Sequence, residues 1–172
     1  MSTRNYLSLG LAIVAALTAA LIVHAQEQKK PEHMTHQQME EMNKRGDQVM
    51  GFDHLKTRHH FILASDGGSI RIEANDKKDD GSRDQIRGHL QHIAVMFGEG
   101  NFKAPMLIHG ETPPGVDVME KLKSEISFGY EETKQGALIR ILTKNADALK
   151  AVHAFLRYQI KEHMTGDPLE AS

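Results

Sequence analysis

The 172-residue sequence contains no cysteine and no tryptophan, and aromatic side chains make up only 5% of it. Without cysteine there is no disulfide, no thiolate metal site, no CxxCH haem attachment and no residue for N-terminal lipid attachment. The scarcity of aromatics argues against a stacked sugar-binding platform. Charge of either sign is also lacking in excess: 21 Lys and Arg against 23 Asp and Glu leave a formal charge of -2, and the pI lies near 6.6. That balance offers no basic footprint for nucleic acid. GxSxG, HExxH and phosphate-loop motifs are absent as well, so no motif supports an enzyme. What the sequence does have is histidine, at 11 of 172 positions.

The amino terminus reads as a secretory signal peptide over residues 1–25. Arg4 supplies a short positive region, Leu9 to Val23 is uncharged and apolar, and Val23-His24-Ala25 resembles a cleavage site. The alternative, a retained anchor, is disfavoured because the run is shorter than the roughly 18 apolar residues of a spanning helix. A periplasmic or secreted protein without stable membrane insertion is expected. Ten histidines follow the predicted cleavage point.

Residues 26–50 form a polar leader carrying His33, Met34, His36, Met39 and Met42. Thr35 and Gln38 are spaced as a capping box, but no sustained apolar stripe follows. A mobile segment, or a helix that orders on a partner, is expected there. Thioether suits Cu(I) and imidazole suits both copper oxidation states, so such a segment has the chemistry to capture copper.

A single domain is expected over 51–167, followed by a tail at 168–172. His59 to Ala64, the turn Ser65-Asp66-Gly67-Gly68, and Ile70 to Ala74 read as a β-hairpin. Neighbouring strand residues point to opposite faces, so His59 and His60 share one ion only if the strand entrance is irregular.

Next comes Ser82 to Phe97, whose Ile86, Leu90, Ile93 and Phe97 fall on one helical stripe with His89, His92 and Met96 along its edge. Ser82 and Gln85 are spaced to cap it, and Gly88 inside it suggests close approach by a neighbour. Two imidazoles at i and i+3 with a thioether nearby suit a soft metal. Phe102 to His109 is an apolar stretch ending on a histidine beside a stiff Thr112-Pro113-Pro114-Gly115 turn and a helix around Val118, Met119 and Leu122.

A second hairpin joins Ile126, Phe128 and Tyr130 to Ile139 and Ile141. Asn145 then caps a last helix with the stripe Leu149, Val152, Leu156, Ile160 and His163. His153 reads as a structural core histidine, and His163 as a cationic imidazole at the negative end of the helix dipole. Gly68-Ser69-Ile70-Arg71-Ile72 is echoed by Gly136-Ala137-Leu138-Ile139-Arg140-Ile141. The fold class is therefore α+β: ββα-α-ββα, a four-stranded, mostly antiparallel sheet with helices on one face.

The segments RGDQVMGFDHLKTRHHF, DGGSIRIEAND, SRDQIRGHLQHIAVMF, PMLIHGETPPG and AVHAFLRYQIKEHMTGD resemble a family of short exported bacterial proteins of unassigned function, over about Arg45 to Asp167. Some of that family carry an aspartate carbamoyltransferase label. The chain is too short for that enzyme's two domains, and its Ser2-Thr3-Arg4 lies in the predicted signal peptide. The resemblance thus implies one exported domain and does not supply an activity.

Three classes of function follow. The first is a periplasmic metal-binding protein with copper or zinc held by His59, His60, His89, His92 and His109, and with Met96 as a soft extra ligand. The second is a non-catalytic module for a periplasmic protein partner or haem, with pH-responsive histidines: full protonation would move the formal charge from -2 to +9 (11 added to -2). The third, an enzyme, has least support.

Overall fold

The structure, a computed structural model, describes residues 35–171. The predicted signal peptide and the first part of the leader lie outside them. The chain runs α1 (His36–Met50), a 3-10 turn (His54–Lys56), β1 (Thr57–Ala64), β2 (Gly67–Ala74), α2 (Asp80–Gly98), α3 (Lys103–His109), α4 (Val116–Lys121), a second 3-10 turn (Lys123–Glu125), β3 (Ile126–Glu132), β4 (Gly136–Thr143) and α5 (Ala146–Glu162).

The four strands are all antiparallel, in the order β1-β2-β4-β3, as the α+β reading expects. The two echoing segments are partners at the centre of the sheet, with Ile70 opposite Ile139 and Gly68 opposite Ile141. Alternation explains which face is covered. Phe61, Leu63, Ile70, Ile72, Ala137, Ile139 and Ile141 are buried beneath the helices, while Arg58, Ile62, Arg140 and Leu142 on the other face are exposed. Helices α2 and α5 pack on the inner face. Their contact is aromatic, Phe97 meeting Phe155 edge-on at 6.1 Å between ring centroids. Each fully buried side chain of the α2 stripe contributes about 1.5–3 kcal/mol.

Three local expectations change. The α2 cap is Asp79 rather than Ser82: Asp79 Oδ1 accepts from the Ser82 N–H at 2.9 Å and Oδ2 accepts from Ser82 Oγ at 2.7 Å. Ser82 is thereby a buried residue of the first turn, and the helix starts earlier. Gly88 has no close neighbour; a Cβ there would meet nothing within 4 Å. The leader is not loose from Thr35 onward. Thr35 and Gln38 form the expected capping box, and α1 lies against α3 with Met42, Gly46 and Met50 buried. Two methionines and a glycine are too sparse to read as an apolar stripe, yet long flexible thioethers fill the interface.

Gly115, at φ 89°, closes the Pro-Pro turn against α5; a Cβ on it would lie 2.2 Å from the Ala151 carbonyl oxygen. No helix of the described residues is long and apolar enough to cross a membrane.

Candidate functional site

The register of β1 with β2 is regular from Thr57 to Ala64, so the strand keeps its alternation and separates the adjacent histidines. His59 shares the inner face with Phe61. His60 lies on the other side, where its Nδ1 sits 2.9 Å from Asp167 Oδ1. A carboxylate only accepts, so Nδ1 carries the proton. Asp167 Oδ2 also accepts from the Phe61 backbone N–H at 2.9 Å. His60 is accordingly engaged away from His59 and does not share a site with it.

The α2 pair is divided in the same way. On a helical wheel His89 lies about 70° from the centre of the apolar stripe and His92 about 130°. His89 is consequently half-buried beside Phe52, with ring centroids 5.6 Å apart, whereas His92 is exposed. Met96 packs against the main core two turns from His89, and neither it nor His92 lines the cavity that His89 reaches. The expected HxxH pair with its thioether is therefore not assembled.

His59, His89 and His109 do come together, and His163 joins them. The four line one small cavity of about 60 Å³ with Met50, Phe61, Ile108 and Gln159. Each comes from a different element: β1, α2, the last residue of α3, and the C-cap of α5. The His59 and His163 rings are stacked at 5.4 Å with 9° between their planes. His109 meets His163 edge-on at 5.1 Å. Its Nε2 donates to Gln159 Oε1 at 2.9 Å, which leaves Nδ1 as the nitrogen bearing the lone pair.

Three buried polar atoms of this cluster have no hydrogen-bond partner: His59 Nε2, His109 Nδ1 and Gln159 Nε2. An unsatisfied buried group costs about 1–3 kcal/mol, so each of these atoms calls for a partner beyond the protein's own groups, such as a water or an ion. Electrostatics keep the rings neutral. Burial, with the nearby His89, His60 and His54, lowers the His59 pKa to about 4. Burial and His92 lower that of His89 to about 4. His163 is held well below 6.5 by burial and by His59 and His109, and His109 is lowered chiefly by burial. The expected cationic His163 at a helix end is thus overturned: its ring turns into the cluster rather than toward solvent. Neutral imidazoles are the form that binds metal.

A second cleft, of about 320 Å³, opens beneath α1. Met39, Met42, Met50 and Met164 line it together with His54, His59 and His163. Met50, His59, Ile108 and His163 border both spaces, so the cleft leads to the cavity wall.

Two other histidines have structural work. His153 Nε2–H is shared between the carbonyls of Ala64 and Gly67 at 2.9 and 3.0 Å, fastening the first hairpin turn to α5 as expected. His54 Nδ1 lies 3.0 Å from both Asp47 carboxylate oxygens, tying the end of α1 to the turn before β1. Asp47, Asp53 and His54 form the one group of three among the described residues whose ligand-capable atoms all lie within 4.8 Å of one another. Asp53 and Asp47 also accept backbone N–H groups there, so hydrogen bonding accounts for that group.

His163 and Gln159 were not among the residues singled out as ligands. Their spacing was legible, at i and i+4 on α5, but the burial of Gln159 to 3% exposure, which makes it need a partner, was not. No protein-family model, curated protein or solved structure matches this chain.

Proposed function

We propose that this chain is an exported metal-binding protein whose site is the cavity bounded by His59, His89, His109 and His163. The observation that carries the reading is the convergence of four neutral imidazoles from four elements on one space, two of them with buried, unpartnered nitrogens. Ring spacing supports it. With metal–nitrogen bonds of about 2.0–2.1 Å, two imidazoles on one tetrahedral ion have centroids about 5 Å apart. The His59–His163 and His109–His163 separations are 5.4 and 5.1 Å. The His59 and His163 planes are 9° from parallel, and an imidazole binds a metal in its own plane, so sharing one ion requires one of these rings to turn. Export rests on the apolar amino-terminal run and on the resemblance to short exported proteins.

The test is metal titration of the purified, metal-stripped protein with copper and zinc, followed by His59→Ala, His163→Ala and His92→Ala. One tightly held ion is expected, with affinity lowered at least tenfold in the first two variants and unchanged in the third. Equal affinity in all three would remove the cavity as the site.

A second reading, that the rings form a polar structural cluster, is favoured by the absence of any three of these imidazoles from the groups within 4.8 Å. It expects no ion held by the wild-type protein at micromolar concentration. The haem alternative is not supported by volume, since about 60 Å³ is far below the roughly 300–1,000 Å³ of small-molecule pockets.

A further inference from the structure

We infer that the cleft beneath α1 admits monovalent copper, Cu(I), and delivers it to the histidine cavity through methionine thioethers. The inference rests on the metal-binding reading of that cavity and specifies its ion and its route. Four of the fourteen residues lining the cleft are methionine. They span its depth: Met42 and Met50 are buried, Met39 is half-buried, and Met164 is 60% exposed. Soft thioether donors select Cu(I) over the harder divalent ions, for which imidazole alone is the better partner.

Backbone conformation singles out Met164. It sits at φ 47°, and it is the one non-glycine residue at positive φ among the described residues. It follows the α5 C-cap, where glycine is the usual choice. Holding an L-residue there costs on the order of 1–3 kcal/mol. It is the left-handed position of a Schellman cap, in which the Thr165 N–H donates to the Ile160 carbonyl at 3.2 Å and the Met164 N–H to the Lys161 carbonyl at 3.3 Å, and these bonds offset part of that cost. The conformation places Met164 on the cleft wall directly after His163, which borders both spaces.

Charge agrees with a monovalent ion. The cleft has one arginine, Arg58, and one carboxylate, Glu162, besides its histidines, and the histidine cavity has no carboxylate at all. The desolvation cost of an ion rises with the square of its charge, so a wall of neutral donors penalises a divalent ion about fourfold more than a monovalent one. Met50 and the imidazoles of His59 and His163 stand where the two spaces meet, and together they offer one thioether and two neutral nitrogens.

The experiment uses the full chain, stripped of metal and titrated anaerobically with Cu(I) against a chromogenic Cu(I) chelator, and in parallel with Zn(II). X-ray absorption of the Cu(I)-loaded wild type reads the donor atoms directly. Cu(I) is expected to bind at least 100-fold more tightly than Zn(II), with both sulfur and nitrogen bound to copper. Met50→Leu, which conserves volume, is expected to lower Cu(I) affinity at least tenfold while leaving Zn(II) affinity within twofold. Met164→Leu is expected to slow Cu(I) uptake from the chelator at least threefold. An all-nitrogen copper site, or a Met50→Leu variant that binds Cu(I) as the wild type does, overturns the inference but leaves the histidine cavity standing. Failure of both ions to bind overturns the cavity reading itself.

Discussion

His59 and His163 lie face to face, 5.4 Å between centroids and 9° from parallel, although 103 positions separate them in the chain (163 minus 59, less one). Neighbouring imidazoles that both carried a proton would repel one another in a poorly solvated space, and burial already disfavours the charged form. Their contact therefore ties the acid response of the fold to the region where the metal is proposed to bind.

In the metal-free protein this gives a definite pH profile. The pKa values of His59 and His89 fall from 6.5 to about 4 on folding. As pH drops below 6.5 the unfolded chain takes up these protons first, so the stabilisation present above about 6.5 is lost between 6.5 and 4. Each histidine contributes a slope of up to roughly 1.4 kcal/mol per pH unit in that window. Urea midpoints measured from pH 8 to pH 4 should be level above about pH 7 and decline steadily below 6.5. His89→Leu should reduce the proton uptake on unfolding at pH 5 by about one. A flat profile down to pH 4.5 would contradict the burial of these rings.

A different arrangement governs the end of α5. Asp167 holds both His60 and the Phe61 N–H, and lies four residues beyond His163. Burial alone would raise its pKa, but hydrogen bonds from Thr165, His60 and the Phe61 N–H outweigh that and hold it below 3.8. Asp167→Asn is expected to cost about 1–3 kcal/mol in urea unfolding at pH 7. A double-mutant cycle with His60→Ala should show coupling, whereas the same cycle with His92→Ala should not. Additive losses for Asp167 and His60 would mean that the pair contributes nothing as a pair.

Two glycines with opposite surroundings give a paired test. Gly88→Ala places a methyl in open space on an exposed helix position and should stabilise the protein by about 0.8–1.0 kcal/mol. Gly115→Ala, at φ 89° with its Cβ 2.2 Å from the Ala151 oxygen, forces the turn off α5 and should destabilise by more than about 3 kcal/mol. Thermal or urea unfolding of both variants checks the signs; equal small effects would mean that the turn does not rest on α5.

Much of this fold was legible because it is written in periodicity. Alternation in Phe61, Leu63, Ile70 and Ile72 and the 3.6-residue stripe of Ile86, Leu90, Ile93 and Phe97 each have one geometric solution, and those residues are buried as expected. The site was less legible, because it is assembled across elements. Sequence proximity favoured His92 beside His89, but helix rotation points His92 away; His60 and His59 would have met only at an irregular strand entrance, and the entrance is regular. His163, distant in sequence, arrives by packing. Phe102 to His109 read as an apolar stretch and is helical as α3, Lys103–His109, because seven residues carry too little periodic signal to separate a short helix from a loop. Met42 and Met50 were likewise silent as core residues: with Gly46 they share one face of α1, but that face is too sparse in apolar residues to read as a stripe without the contact with α3.

The Asp167 carboxylate has one more consequence. Because β1 is an outermost strand, its outward-facing backbone groups are a template on which a strand of another molecule could add. The aspartate occupies one of those positions midway along the strand, and an incoming chain would have to displace it to continue its ladder. The short segment after α5 thus covers one open position of the edge with an acidic side chain and no additional strand.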